Sequence, residues 1–406
     1  MRTKAFCGLV PHPDHVNGVA TVPYDVVNTE EARAMAAGRP YDLLHVDRAE
    51  IDLPADTDPY SEIVYKTAQA KFQELQAEGI LQREEKPCIY VYEQIMGGHR
   101  QIGITLSCHI DDYEDNIIRK HEKTRQVKED DRTNLVDSLS AHTGPIFLTY
   151  KDRAGIDAKV AEIVKGTPVY DIKDERDVEH RVWRVTDSDA LLGEFAEVPL
   201  SYVADGHHRS ASAWRVGSER RAKNPNHTGD ESYNWFLGVL FPASHLKVLG
   251  YHRVVKDLGD LTNEQFLDRL SQVAKVEANG QQDPTEPGQT CLYLDGQWYT
   301  LTWPENTSES PIEKLDVSVL QQLVLESILG IQDVRTDSRI DFVGGIRGTG
   351  ELEKRVGSGD WAVAFSMYPV TVNQLMEIAD ADEIMPPKST WFEPKLRSGL
   401  FIYTID

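Results

Sequence analysis

Val64, Ala68, Phe72 and Leu75 recur at helical spacing, a stripe that predicts a helix after Leu53 ending at Gly79. Asp58 is placed to cap it, and Pro59 to take its first position, where a missing N–H costs nothing. From Cys88 to Ile95 and from Gln101 to Cys108 the pattern changes to strand, with Gly97-Gly98 between them as a hairpin turn. Strand and helix signals then alternate: strand from Pro145 to Tyr150, helix from Ile156 to Lys165, strand from Arg181 to Val185. A short apolar strand from Leu200 to Ala204 runs into Asp205-Gly206-His207-His208-Arg209. A helix from Ser210 to Arg221 and a buried strand from Trp235 to Phe241 follow.

Beyond residue 245 the signals restart. Thr262 with Gln265, and Thr371 with Gln374, have capping-box spacing, and Leu261 with Phe266 has that of a hydrophobic staple. Asp295-Gly296 between two apolar runs is a strong two-residue hairpin signal. The expectation is a mixed α/β chain in two regions, 1–245 and a C-terminal α+β region 246–406. The charged stretch from Asp111 to Asp137 is expected to be solvated helix and loop.

Composition narrows the function classes. With 43 Lys plus Arg against 66 Asp plus Glu, the net charge is −23, which repels phosphate backbones and disfavours nucleic acid as a partner. No apolar run is long enough for a membrane span. The opening residues lack the apolar core of an export signal and are expected to form the first strand. Cys7, Cys88, Cys108 and Cys291 show no metal-type spacing, which suits a reduced cytoplasmic compartment; Cys88 and Cys108 are the pair that could face across the hairpin.

The strongest chemical signal is Asp205 to Arg209. Gly206 permits a tight turn between a strand and a helix, the helix start favours an anion, and Arg209 adds a planar fork suited to phosphate oxygens. His207 and His208 can donate hydrogen bonds or bind a metal, and Asp205 can hold a histidine tautomer or a Mg²⁺ ion. The structural alternative is a capped turn whose side chains only satisfy the backbone. A second cluster, His121-Glu122-Lys123-Thr124-Arg125 with Lys128, Asp131 and Arg132, combines a carboxylate base with phosphate-neutralising cations. It is not a zinc motif, because Arg125 stands where the second histidine belongs. Tyr24-Asp25 after Pro23 suggests a pocket rim or a plain turn. Gly344 to Gly350 suggests a glycine-rich turn, lacking the lysine of a phosphate loop. The run Pro386 to Lys395 either folds back over a site or seals a sheet edge.

These residues carry a resemblance. Gly8-Leu9 with Val22 to Val26, the stretch Pro40 to Val46, His121 to Arg125, Asp205 to Arg209 and the tail Met385 to Leu400 together resemble the family called domain of unknown function 1015. The likeness spans essentially the whole chain, with Val22 standing where a second proline is frequent. The Asp205–Arg209 run is further similar to the signature of the ParB/sulfiredoxin-like fold, and within it to the free serine kinases. That resemblance implies a ParB/sulfiredoxin-like core with insertions, and a nucleotide-dependent phosphotransferase acting on the hydroxyl of a small molecule such as serine. It implies Glu122 and Asp205 as catalytic residues, with Glu122 the base. Gly206, His207, His208 and Arg209 would hold the phosphates of ATP, ADP or CTP, and Asp205 the Mg²⁺. His121, Arg125, Lys128 and Arg132 would lend support. The separation from Glu122 to Asp205, 205 − 122 = 83 residues, requires an insertion relative to the smaller kinases. Three other readings compete: a non-catalytic ParB-like nucleotide switch, a sulfiredoxin-like reductase, for which the run lacks a cysteine, and a metal-dependent hydrolase built on His207 and His208. The oligomeric state is left open.

Overall fold

The computed structural model describes all 406 residues, and the chain divides into two compact units. The first comprises residues 1–120, 124–246 and 394–406; the second comprises 121–123 and 247–393. Helices and sheets are mixed in both, as expected for a mixed α/β chain.

A nine-stranded mixed sheet organises the first unit. Its strands are β1 (Thr3–Lys4), β2 (Ile89–Met96), β3 (His99–His109), β4 (Ile118–Arg119), β5 (Ile146–Tyr150), β6 (Tyr170–Lys173), β7 (Glu179–Val185), β8 (Ser201–Asp205) and β9 (Trp235–Pro242). Their order is β4-β8-β5-β9-β3-β2-β7-β6, with β1 paired to β3. The pairs β4·β8 and β5·β9 are parallel, and the others antiparallel. Strands β2 and β3 meet at Gly97-Gly98, so the expected hairpin is present. Gly103 on β3 leaves room for Phe241: a Cβ there would stand 2.7 Å from that ring. All four cysteines are free; Cys108 stands opposite Thr3 and Phe236, and Cys88 bridges to Phe6.

The helices of this unit that bear on the site are α1 (Glu62–Ala77), α2 (Gln126–Leu139) and α3 (His207–Lys223). The predicted stripe of α1 is buried with Leu135 and Leu139 of α2. Its start differs, because Asp58 accepts the N–H of Tyr60 in the preceding turn and Ser61 takes the cap position. The charged stretch is not all solvated: Asp112 is 0%, Asp131 7% and Arg132 8% exposed. Their partners Arg2, Tyr65 and the backbone of Asp47 stand far away in sequence, so no local pattern announces the burial. The opening residues form two short strands, β1 and Leu9–Pro11, in place of one.

The second unit holds an antiparallel six-stranded sheet of β10 (Tyr251–Val255), β11 (Lys275–Ala278), β12 (Gln289–Leu294), β13 (Gln297–Thr302), β14 (Ile340–Gly344) and β15 (Val363–Met367). The order is β11-β13-β12-β15-β10-β14. Both capping boxes form, at Thr262 before α4 (Asn263–Leu270) and at Thr371 before α6 (Val372–Asp380). Gly344 to Gly350 is a turn into α5 (Gly348–Gly357). Trp391–Glu393 pairs with Lys247–Leu249 as a two-stranded ribbon. No helix is long and apolar enough to cross a membrane.

Candidate functional site

Asp205 closes β8, Gly206 turns the chain, and α3 starts at His207. Gly206 lies at φ +95°, in the left-handed region, and a Cβ there would stand 3.0 Å from Arg209 Nε. The backbone therefore favours glycine, and an added Cβ would press on the Arg209 guanidinium. Arg209 folds back over the turn: Nη2 donates to Asp205 at 3.3 Å, Nη1 donates to the carbonyl of Pro145, and Nε meets no hydrogen-bond acceptor. Burial works against its charge, but Asp25, Asp205 and Asp47 outweigh that and keep the guanidinium protonated. Asp205 also faces a second cation, Lys395 Nζ at 3.5 Å, on a side chain only 9% exposed.

The two histidines of the turn have separate surroundings. His207 is buried, and burial lowers its pKa to about 4, so the ring is neutral near pH 7. His208 Nε2 accepts the backbone N–H of Arg125 at 3.0 Å, which leaves the proton on Nδ1. That bond ties the start of α3 to the cap residue of α2. Consecutive helix residues diverge by about 100°, which disfavours one metal ion held by both rings, as the hydrolase alternative requires.

Arg209 lines a cavity of about 30 Å³ whose walls mix the polar side chains of Tyr24, Asp47, Arg132 and Thr143 with the apolar ones of Leu135 and Leu237. Tyr24, Asp47 and Arg132 also line a cleft of about 260 Å³, where Arg48, Tyr60, Lys128 and Asp131 join them. Arg132 lies over the Tyr24 ring at 4.0 Å, donates to Asp131 at 2.8 and 3.0 Å and reaches the carbonyl of Asp47 at 3.2 Å. Asp47 accepts from the Thr143 hydroxyl, and burial raises its pKa against the pull of Thr143 and Arg132. Lys128 donates to the Tyr60 hydroxyl at 2.8 Å. The inner cavity has room for a water or two, at roughly 10–15 Å³ each, and is too small for a phosphoryl group.

These positions suit an anion: a guanidinium over a glycine turn, an ammonium beside it, and a helix start that no side chain of Gly206 caps. A divalent cation on Asp205 is disfavoured. That carboxylate already faces Arg209 and Lys395, and a metal there would be repelled by both.

A family model described as "Protein of unknown function (DUF1015)" matches residues 3–318. The chain belongs to the DUF1015 family. No curated protein matches it. Among solved structures, a mutant free serine kinase in complex with AMP is similar at 14% identity and TM-score 0.38, covering 73% of this chain and 92% of that one. A conserved hypothetical protein from Pyrococcus furiosus gives 14% and 0.37, covering 72% and 93%. SbnI with a C-terminal truncation, from Staphylococcus aureus, gives 10% and 0.38, covering 71% and 82%. At these scores the likenesses are of outline only.

Within this DUF1015 chain, Arg125, Lys128, Arg132 and Asp205 to Arg209 all lie in the first unit. His121 and Glu122 lie in the second, where the Met385 N–H donates to the His121 carbonyl at 2.8 Å. Sequence reading missed Asp47 and Thr143, and it named Lys395 and Ser398 only as members of the tail run. Asp47-Arg48 directly follows the motif Pro40 to Val46, and a charged pair at the end of an apolar motif was the available signal. Lys395 and Ser398 fall in the tail motif, where nothing local separates a site residue from a surface one.

Proposed function

We propose that the protein is a nucleotide-dependent phosphotransferase that phosphorylates the hydroxyl of a small molecule, as its motif resemblance to free serine kinases suggests. One observation carries this reading: Arg209, 11% exposed and folded over the left-handed Gly206 at the start of a helix, lines a small cavity that shares Tyr24, Asp47 and Arg132 with a polar cleft. Phosphoryl transfer asks mostly for positioning and charge stabilisation, which such a turn supplies. The acceptor oxygen attacks the terminal phosphorus in line, the bond to the bridging oxygen breaks, and the nucleotide leaves one phosphate shorter. The hydroxyl proton passes to a carboxylate, and the motif resemblance assigns that role to Glu122. Gly206, His207 and His208 present the helix start to the phosphates, Arg209 neutralises the charge that develops, and Mg²⁺ arrives on the nucleotide. The ParB-like ancestry belongs to the same proposal.

The test is incubation of the full chain with ATP, ADP or CTP, Mg²⁺ and a panel of hydroxyl compounds led by serine, read by phosphorus NMR. A new phosphomonoester is expected, and Arg209→Met should cut kcat/KM by about 100-fold or more. If no donor and acceptor pair gives a phosphomonoester, the kinase reading is wrong.

A further inference from the structure

The C-terminal segment is built into the first unit at many points. Gln94 and Gln101, on β2 and β3, donate to the carbonyls of Lys395 and Pro394 at 2.8 and 3.3 Å. Arg397 is ion-paired with Asp174 and Glu175, and Asp174 in turn meets His180, whose other nitrogen meets the Tyr92 hydroxyl at 2.7 Å. Ser398 exchanges two backbone hydrogen bonds with Thr21 at 3.0 and 3.1 Å. Phe401 is fully buried, 4.8 Å from the Tyr90 ring.

These anchors flank Lys395 and hold the backbone without help from its amine. Burying a lysine is costly in both solvation and side-chain freedom. Asp205, the carboxylate it faces, already has Arg209. The C-terminal segment thus brings an ammonium that is only 9% exposed to the glycine turn, next to the carboxylate that Arg209 also meets.

We propose that Lys395 is a phosphate-binding residue of the site, brought there by the C-terminal segment and held in place by Asp205. The proposal rests on the phosphotransferase reading in one respect, that the anion is part of a nucleotide. Lysine acts as a point charge toward phosphoryl oxygens, complementing the planar fork of Arg209. Asp205 keeps the two cations oriented, and an arriving phosphoryl group shares them with it.

Binding of inorganic pyrophosphate and of ADP to the full chain, followed by calorimetry, tests this apart from turnover. K395M should bind both at least roughly tenfold more weakly, the scale of a lost charge-assisted contact, and K395R should stay within about threefold of wild type. The melting midpoint should hardly move, because Arg209 still pairs with Asp205. Unchanged binding by K395M overturns the proposal while leaving the kinase reading standing. Lys395-dependent pyrophosphate binding without any phosphorylated product does the reverse. A wild type that binds neither probe overturns both. A fall in midpoint of more than about ten degrees in K395M and K395Q alike also overturns it, by making the lysine structural.

Discussion

Gly206 illustrates how much one missing side chain decides. Its φ of +95° and the 3.0 Å separation between a built Cβ and Arg209 Nε make two independent demands. Gly206→Ala is expected to destabilise the protein by about 1–3 kcal/mol, read from urea denaturation, and to weaken ADP binding by moving Arg209. A variant as stable as wild type would show that the turn tolerates a side chain. At this scale the Asp205–Arg209 run was legible because four chemically active side chains around one glycine at a strand–helix junction are unusual. Asp47 was not. A buried aspartate looks like any other in a sequence, and what marks it is the Thr143 hydroxyl and the Arg132 side chain, both distant in the chain.

Elements with their own stop and start signals were visible in advance. The boxes at Thr262 and Thr371 form as spaced, because a capping box is a contract among four consecutive residues. Thr371→Ala should cost the second unit about 1 kcal/mol, seen as a lower unfolding midpoint, and should leave ADP binding unchanged. No shift in that midpoint would mean that the cap is replaced by solvent. Helix α2 was misjudged for the opposite reason. Its Asp131 and Arg132 owe their burial to Tyr65, Tyr24 and Asp47, so a charge run that looked solvated carries part of a cleft wall. The short strands β1 and β4, of two residues each, exist only through their neighbours and leave no periodicity to detect.

For the molecule as a whole, three buried histidines set an acid limit. Burial lowers His142 to about 3 and His207 and His252 to about 4, against 6.5 for the free ring. Between those values the unfolded chain binds protons that the folded chain refuses. Their contribution is therefore complete above about pH 6.5 and lost as pH falls toward 4. Asp47, raised by burial, works the other way and offsets part of it. The melting midpoint should drop steadily from pH 7 to pH 4.5, and a flat profile would show that these rings titrate freely. With a net charge of −23, the proposed anion site depends on local geometry, namely the turn with Arg209 and Lys395.

The return of residues 394–406 to the first unit has a consequence for biosynthesis. A nascent chain that has emerged as far as Glu393 already possesses every strand of the nine-stranded sheet, yet it lacks Lys395, Ser398 and Phe401. The first unit is therefore completed only after the whole of residues 247–393 has been made, and a product that stops at Glu393 would lack the buried Phe401 and the Arg397 ion pairs that close it.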